Sequence, residues 1–148
     1  MQIVDSQVHI WGANTPDRPW PAGRDHEAQK PYPVTKDMLL FEMELAKVNR
    51  IVIVPPSWEG DRNDLALEAA RLHPDKFCIL GHFDLQSPDR EKIVARWRER
   101  PGMLGFRYTF NEPHQKSWWT DGSLDWFWAA CEKSGLPVGL LAGGNGKG

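Results

Sequence analysis

Three polar side chains alternate along an otherwise apolar stretch near the start of the chain, in the sequence IVDSQVHIWG (residues 3–12). Asp5, Gln7 and His9 are two residues apart, so a β-strand would place all three on one face. Burying such groups without partners would cost on the order of 1–3 kcal/mol each. The cluster is therefore expected to face a metal ion, a substrate or a private network of hydrogen bonds.

An arginine interrupts a second apolar stretch, GFRYTF (residues 105–110). Burying the guanidinium of Arg107 without an acidic partner would be very costly. Asp5, Asp84 or an anionic substrate can supply that partner. The pattern is therefore consistent with a structural ion pair and also with a site that binds a carboxylate through the two-pronged guanidinium.

Further candidate side chains lie at or just beyond the ends of other apolar runs. His82 and Asp84 share one face, and His82 is either a site residue or a hydrogen-bonded residue of the rim. Trp58, in the loop PPSWEGD, is either an apolar wall of a site or a packed loop residue. Tyr108, next to Arg107, is a further candidate for contact with a substrate.

Short β-branched runs alternate with amphipathic segments, in the order β-α-β-α-β-α-β-α-β. The predicted strands are residues 3–10, 50–54, 77–82, 103–108 and 137–141. This alternation predicts right-handed crossovers and an α/β fold with a parallel sheet. A flavodoxin-like sheet and part of a (β/α)8 barrel both fit the order. No glycine-rich phosphate loop follows the first strand, which disfavours a nucleotide-binding fold.

The segments that flank the strands are also informative. Thr35 and Asn63 are the predicted N-caps of the first two helices, and Gly135 is the predicted end of the last. The long proline-rich loop 14–33 follows the first strand. Because sites in parallel α/β folds form at the carboxyl ends of the strands, this loop is expected to cover a site as a lid, or to be a packed structural collar.

Several of these motifs resemble the amidohydrolase-related family of the amidohydrolase superfamily. They are DSQVHIW at residues 5–11, IVIVPPSWEGDRNDLALEAARLHPDKF at residues 51–77, and GMLGFRYTF at residues 102–110. The resemblance implies a (β/α)8 TIM-type barrel, of which this chain would supply about five βα units without closing the barrel. The usual first-strand pattern of the family is His-x-His, and its two positions match Gln7 and His9.

The resemblance also implies roles for individual residues. Gln7 and His9 would occupy catalytic positions, Arg107 would bind the carboxylate of a substrate, and Trp58, Tyr108 and His82 would complete the binding site. A divalent metal is a cofactor in part of the family. An amide oxygen is a much poorer ligand than imidazole for zinc-like metals, so the sequence predicts no metal-binding residue here.

The implied activity is the hydrolysis of lactones or related cyclic esters of small carboxylated substrates. One alternative is a metal-dependent decarboxylase of the same superfamily. Another is a non-catalytic half-barrel that acts by self-association through its open edges. Since five strands cannot close an eight-stranded barrel, we expect the chain, residues 1–148 with a Gly-rich tail at 142–148, to be a truncated domain that is incomplete as an enzyme.

Composition excludes several classes of partner. The 148 residues carry 18 basic and 20 acidic side chains, a formal net charge of −2, without a block of like charge. This balance gives no support to a nucleic-acid surface or a membrane-binding face. The sequence shows neither a signal peptide nor an apolar span of about 20 residues, and its two cysteines lie in apolar segments. We therefore expect a cytoplasmic protein with reduced cysteines.

Overall fold

The computed structural model describes residues 1–110 and 112–141. Five strands occur in this part of the chain: β1 (Val4–Val8), β2 (Arg50–Ile53), β3 (Phe77–Gly81), β4 (Met103–Tyr108) and β5 (Val138–Leu140). They alternate with four α-helices: α1 (Lys36–Ala46), α2 (Asp64–Leu72), α3 (Arg90–Ala95) and α4 (Asp125–Ser134). The predicted order of strands and helices is confirmed, whereas the predicted Gly-rich tail lies outside the described residues.

The strands form one parallel sheet in the order β1-β2-β3-β4-β5. Consecutive strands are neighbours, so every crossover runs in the same direction around the sheet, as in a (β/α)8 barrel. The sheet is curled, as the distance between its first and fourth strands shows. The Arg107 Nε atom on β4 lies 3.4 Å from the Gln7 Oε1 atom on β1. On a flat sheet, strands three positions apart would be about 14 Å from each other. The described chain is therefore an open half-barrel, as predicted.

The convex face of the sheet packs against the helices and forms the core. Ile53, Ile79 and Phe106 are completely buried there. The Trp97 ring lies 4.2 Å from the Phe106 ring between centroids, and its indole N–H donates to the Gly105 carbonyl at 2.9 Å. The convex face is thus well packed, which leaves the concave face to hold the polar side chains of the strands.

The ends of the helices show which local predictions were correct. Thr35 caps α1, since its hydroxyl accepts a hydrogen bond from the Met38 N–H at 3.3 Å. Gly135 ends α4 with φ at +60°, a conformation that favours glycine. Asn63 is the N-cap residue of α2, as predicted, but its side chain makes no capping hydrogen bond and binds the backbone of His82 instead. Among the described helices, none has the length and apolar character needed to cross a membrane.

Candidate functional site

A cavity of about 750 Å³ opens at the carboxyl ends of the strands. Parallel α/β folds form their sites at this edge, because the loops that follow each strand converge there. The lining includes the six predicted catalytic and binding residues, Gln7, His9, Trp58, His82, Arg107 and Tyr108, and also Asp84. Asp5, which the sequence placed with Gln7 and His9 in a buried cluster, is exposed and does not line the cavity. The structure therefore brings the predicted site residues together around one space.

His9 follows β1 and is held at one of its two ring nitrogens. Its Nδ1 atom lies 2.6 Å from the carbonyl oxygen of Val54, just beyond β2. A carbonyl can only accept a hydrogen bond, so Nδ1 must carry the proton. In the neutral ring this leaves the Nε2 lone pair free to accept a proton or a hydrogen bond from a ligand.

Arg107 faces the cavity without an acidic partner in the described part of the chain. Neither Asp5 nor Asp84 forms an ion pair with it, although the sequence allowed both. Its Nη1 atom donates to the Tyr108 carbonyl at 2.6 Å, and its Nε atom donates to Gln7 Oε1 at 3.4 Å. Burial lowers the pKa of the Arg107 guanidinium. Of the three partners that the sequence suggested for Arg107, which are Asp5, Asp84 and an anionic substrate, the structure leaves the anionic substrate.

Two residues of the concave face, Gly139 and Gln7, lie next to the Arg107 side chain. A Cβ atom added at Gly139, on the neighbouring strand β5, would lie 3.2 Å from the Arg107 Cδ atom. The glycine thus leaves room for the stem of the arginine. The contact with Arg107 also orients the Gln7 amide, because its oxygen points to the guanidinium. Within residues 1–110 and 112–141, the two N–H donors of this amide have no partner and can serve a ligand.

The polar groups of Tyr108 and His82 are largely engaged by backbone atoms. The Tyr108 hydroxyl donates to the Phe83 carbonyl at 3.0 Å and accepts from the Phe83 N–H at 3.2 Å, and burial raises its pKa. The His82 Nε2 atom lies 2.9 Å from the Gly60 carbonyl, so it carries the proton and leaves Nδ1 as an acceptor. Tyr108 can therefore offer a ligand mainly its ring, and His82 one nitrogen.

Trp58 is packed between two other rings at the base of the cavity. Its ring centroid lies 5.5 Å from those of both His9 and Trp11, in edge-to-face arrangements. Only 7 % of its surface is exposed. Trp58 therefore supports the His9 ring from one side and presents a small apolar surface to the cavity.

The long first loop, predicted to be either a lid or a packed collar, forms part of the cavity wall. Pro21, Arg24 and Glu27 of this loop line the cavity. Arg24 donates to both Glu27 carboxylate oxygens at 2.7 Å and to the Ser57 hydroxyl at 3.0 Å. These bonds fasten the loop to the segment that follows β2.

A second attachment of the loop uses Glu59, which is only 3 % exposed. Its Oε1 atom accepts from the Arg18 Nε atom at 2.7 Å and from the Gly12 N–H at 2.9 Å. Arg18 also binds Asp64 at the start of α2, with Nη1 to Oδ2 at 2.6 Å. A Cβ atom at Gly12 would lie 2.7 Å from Arg18 atoms, so the close approach depends on glycine.

The sequence interpretation overlooked Arg24, Glu59 and Asp61. Asp61 lines the cavity, and Glu59 holds the loop that carries Trp58. Both acids belong to the loop PPSWEGD, directly after a predicted strand, and that position was the available signal. Nothing periodic in the proline-rich loop indicates which of its arginines turns inward.

Comparison with sequence families and solved structures gives a consistent result. A sequence model of the amidohydrolase family matches residues 4–147. A search of curated protein sequences gives no significant match.

The solved structures that match share the fold at low identity. One is a probable 2-pyrone-4,6-dicarboxylic acid hydrolase from Acinetobacter baumannii with citric acid bound, with 17 % identity and a TM-score of 0.67 over 95 % of this chain and 49 % of that chain. An amidohydrolase from Burkholderia multivorans with bound zinc has 23 % identity and a TM-score of 0.69. That match covers 93 % of this chain and 48 % of the other.

A 5-carboxyvanillate decarboxylase from Novosphingobium aromaticivorans, complexed with manganese, has 11 % identity and a TM-score of 0.69. The match covers 93 % of this chain and 49 % of that one. The chain thus spans about half the length of the solved structures it matches. Because the family model covers nearly the whole sequence, the chain belongs to the amidohydrolase family.

Proposed function

We propose that this chain carries the substrate-binding half of a hydrolase site for lactones or related cyclic esters of small carboxylated compounds. The observation that supports this most strongly is Arg107. It lines the cavity, is partly buried, and pairs with no carboxylate within residues 1–110 and 112–141. A guanidinium placed in this way is suited to bind a carboxylate with two parallel hydrogen bonds.

Arg107 and Gln7 together would position the ring of such a substrate. The guanidinium would hold the carboxylate, which fixes the distance of the ester from β1. The free N–H donors of the Gln7 amide would then face the ester carbonyl. Donors placed at a carbonyl oxygen stabilise the negative charge that develops there when water adds.

His9 would hold the water molecule that attacks the ester. Its Nε2 lone pair is free because Nδ1 donates to the Val54 carbonyl. A neutral imidazole in this state can accept a proton from water as the new C–O bond forms. The imidazolium would then give that proton to the ring oxygen as the acyl C–O bond of the ring breaks, which yields the open hydroxy acid. Trp58 stacks edge-to-face against the ring and limits its rotation.

The residues described do not fit a divalent metal. In residues 1–110 and 112–141, no group of three histidine, cysteine or acidic side chains is arranged to bind one. Gln7 stands at the first histidine position of the family's His-x-His pattern, and its oxygen accepts a hydrogen bond from a guanidinium. This donor set disfavours the metal-dependent decarboxylase alternative, even though decarboxylases are among the solved structures with this fold.

A matched pair of lactones tests the proposal. The chain is incubated with the γ-lactone of 2-hydroxyglutarate, which has a ring carboxylate, and with γ-butyrolactone, which has none. Binding and ring opening are followed by NMR. We expect the carboxylated lactone to bind more tightly, and Arg107→Gln to weaken that binding about tenfold because a charge-assisted bidentate contact is lost.

His9→Asn is the variant for the chemical step. We expect it to remove any ring opening above the rate in buffer, while binding of the carboxylated lactone changes little. Asp75→Asn is the matched control, because Asp75 is exposed in the turn before β3 and does not line the cavity. A carboxylated lactone that binds no better than γ-butyrolactone would contradict the proposal.

A further inference from the structure

The charges around the cavity are unequal. Within the described residues its lining holds four carboxylates, Glu27, Asp61, Asp84 and Glu112, and two guanidinium groups, Arg24 and Arg107. Carboxylates therefore outnumber guanidinium groups by two. A cavity with this balance disfavours a ligand with several negative charges.

One of the two guanidinium groups is already neutralised. Arg24 is bound by both carboxylate oxygens of Glu27 at 2.7 Å, and this contact lowers the pKa of the Glu27 carboxyl. Arg107 is then the guanidinium of the lining that has no carboxylate partner in the described part of the chain. The cavity thus offers one place for one carboxylate.

The acidic side of the cavity is formed by the loops that follow β2 and β3. Asp61 and Asp84 line it there, while Arg107 lies on β4. Desolvation raises the pKa of Asp61, His82 lowers it, and the neighbouring charge of Asp84 raises it further. Within the described part of the chain the Asp61 carboxylate accepts no side-chain hydrogen bond, so it is free to accept one from a ligand.

Aromatic rings form part of the remaining lining. Phe83, Tyr108, Phe110 and Trp118 contribute to it, and the rings of Tyr108 and Phe110 are stacked with centroids 5.3 Å apart. Such walls fit a flat or nearly flat ring better than a flexible chain.

From this arrangement we infer that the cavity selects a ring with a single carboxylate, held by Arg107, and with a hydroxyl or other hydrogen-bond donor directed to Asp61 and Asp84. It discriminates against a ring with two carboxylates, because the second would face those acids. The inference rests on the proposed function, since it assumes that Arg107 binds the first carboxylate.

Three aromatic acids test the inference: benzoate, 3-hydroxybenzoate and isophthalate. The last two carry a hydroxyl and a second carboxylate at the same ring position, so they differ in the group presented to the acidic side. Dissociation constants are measured by NMR titration of the whole chain at about 0.15 M salt. We expect 3-hydroxybenzoate to bind about tenfold more tightly than isophthalate, the effect of one like-charge contact in a partly solvated cavity.

The double variant Asp61→Asn/Asp84→Asn tests the origin of the preference. Both changes keep the size of the side chain, and an amide oxygen at position 84 can still accept the hydrogen bond that the Asp84 carboxylate receives from the Gln86 N–H. We expect isophthalate to bind more tightly to this variant and the tenfold preference to fall to about twofold. Asp75→Asn, away from the cavity, should leave the preference unchanged. Circular dichroism verifies that each variant is folded.

The outcomes separate this inference from the proposed function. If isophthalate binds the original chain as tightly as 3-hydroxybenzoate, or if the double variant keeps the preference, the inference is overturned while the proposed function stands. If Arg107→Gln leaves the binding of all three acids unchanged, or if none of them binds, the proposed function itself is overturned.

Discussion

His9 is the residue whose chemical state the geometry defines most closely. Its Nδ1 atom is 2.6 Å from the Val54 carbonyl, so the neutral ring should exist as the Nδ1–H tautomer. We predict that long-range ¹H–¹⁵N NMR spectra will show this tautomer for His9. His26 is exposed and should show the mixture of tautomers that is usual in water. An Nε2–H tautomer at His9 would contradict the proposed role of Nε2 as an acceptor.

The sequence allowed the strand residues of the site to be predicted, but only some of those in the loops. Gln7, His9 and Arg107 belong to or adjoin strands, where alternation decides which face a side chain occupies. Glu59 and Asp61 lie in a loop that is attached to Arg18 through Glu59. This contact joins residues far apart in the sequence, so the position of the loop after a strand indicated the site but not the role of each acid.

At the scale of elements, the buried Glu59–Arg18 pair ties the first loop to the segment after β2. Glu59→Gln would leave Arg18 with a weaker partner at a site where Glu59 is 3 % exposed. We predict a loss of about 2–4 kcal/mol in the free energy of unfolding, as for a broken buried ion pair. Urea denaturation measures it, with the exposed Glu68→Gln as the control. A loss below about 0.5 kcal/mol, the usual effect of a surface change, would contradict this role.

The outer part of the same network should depend on pH. Arg18 holds the pKa of the Asp64 carboxyl below its usual value through side-chain hydrogen bonds. A lowered pKa means that the stabilisation is present above the unfolded-state pKa, about 4, and is lost as the pH falls through the folded-state value. We predict that Asp64→Asn costs about 0.5 kcal/mol near pH 7, because the Asp64 side chain is largely exposed, and progressively less as the pH falls through the folded-state pKa.

Urea midpoints across this pH range test the linkage. Asp75→Asn is the control, and its effect should not vary with pH in the same way. A cost for Asp64→Asn that is equal at neutral pH and in acid would mean that the charge of Asp64 contributes nothing to the attachment of α2.

Asn63 occupies the predicted N-cap position of α2 without the usual side-chain capping bond, for a reason that lies at the scale of elements. Asparagine before an amphipathic segment usually caps the helix. Here the Asn63 side chain donates to the His82 carbonyl at 2.7 Å and accepts from the His82 N–H at 3.2 Å. This tertiary contact joins the start of α2 to the end of β3, and it fixes the backbone of a cavity residue.

At the scale of the whole molecule, the order of strands and helices along the chain was predictable because the βα alternation is strong and continuous. The order of the strands within the sheet was not, since a flavodoxin-like sheet and a barrel both fit that alternation. The curl of the sheet was not derivable from periodicity, since flat and barrel-like sheets share the same alternation. The resemblance to a barrel family predicted the curl of the sheet, and the contact between Gln7 and Arg107 shows that curl.

The open half-barrel exposes apolar side chains along its edges and on α1. Val4 on β1 is 51 % exposed, and Phe41 and Leu45 on α1 are 60 % and 62 % exposed. Exposed strand edges and apolar patches promote association. We predict that the chain forms dimers or larger assemblies, which light scattering coupled to size-exclusion chromatography will detect. A monodisperse monomer at a protein concentration of about 100 μM, where exposed strand edges and apolar surfaces usually associate, would contradict this prediction.

The most direct test of the account is the affinity of the chain for benzoate, measured for the original sequence and for Arg107→Lys and Arg107→Gln. If Arg107 binds the carboxylate with its two-pronged guanidinium, lysine should weaken binding severalfold and glutamine about tenfold or more. Equal dissociation constants for all three proteins would contradict the claim that the cavity binds a carboxylate at Arg107.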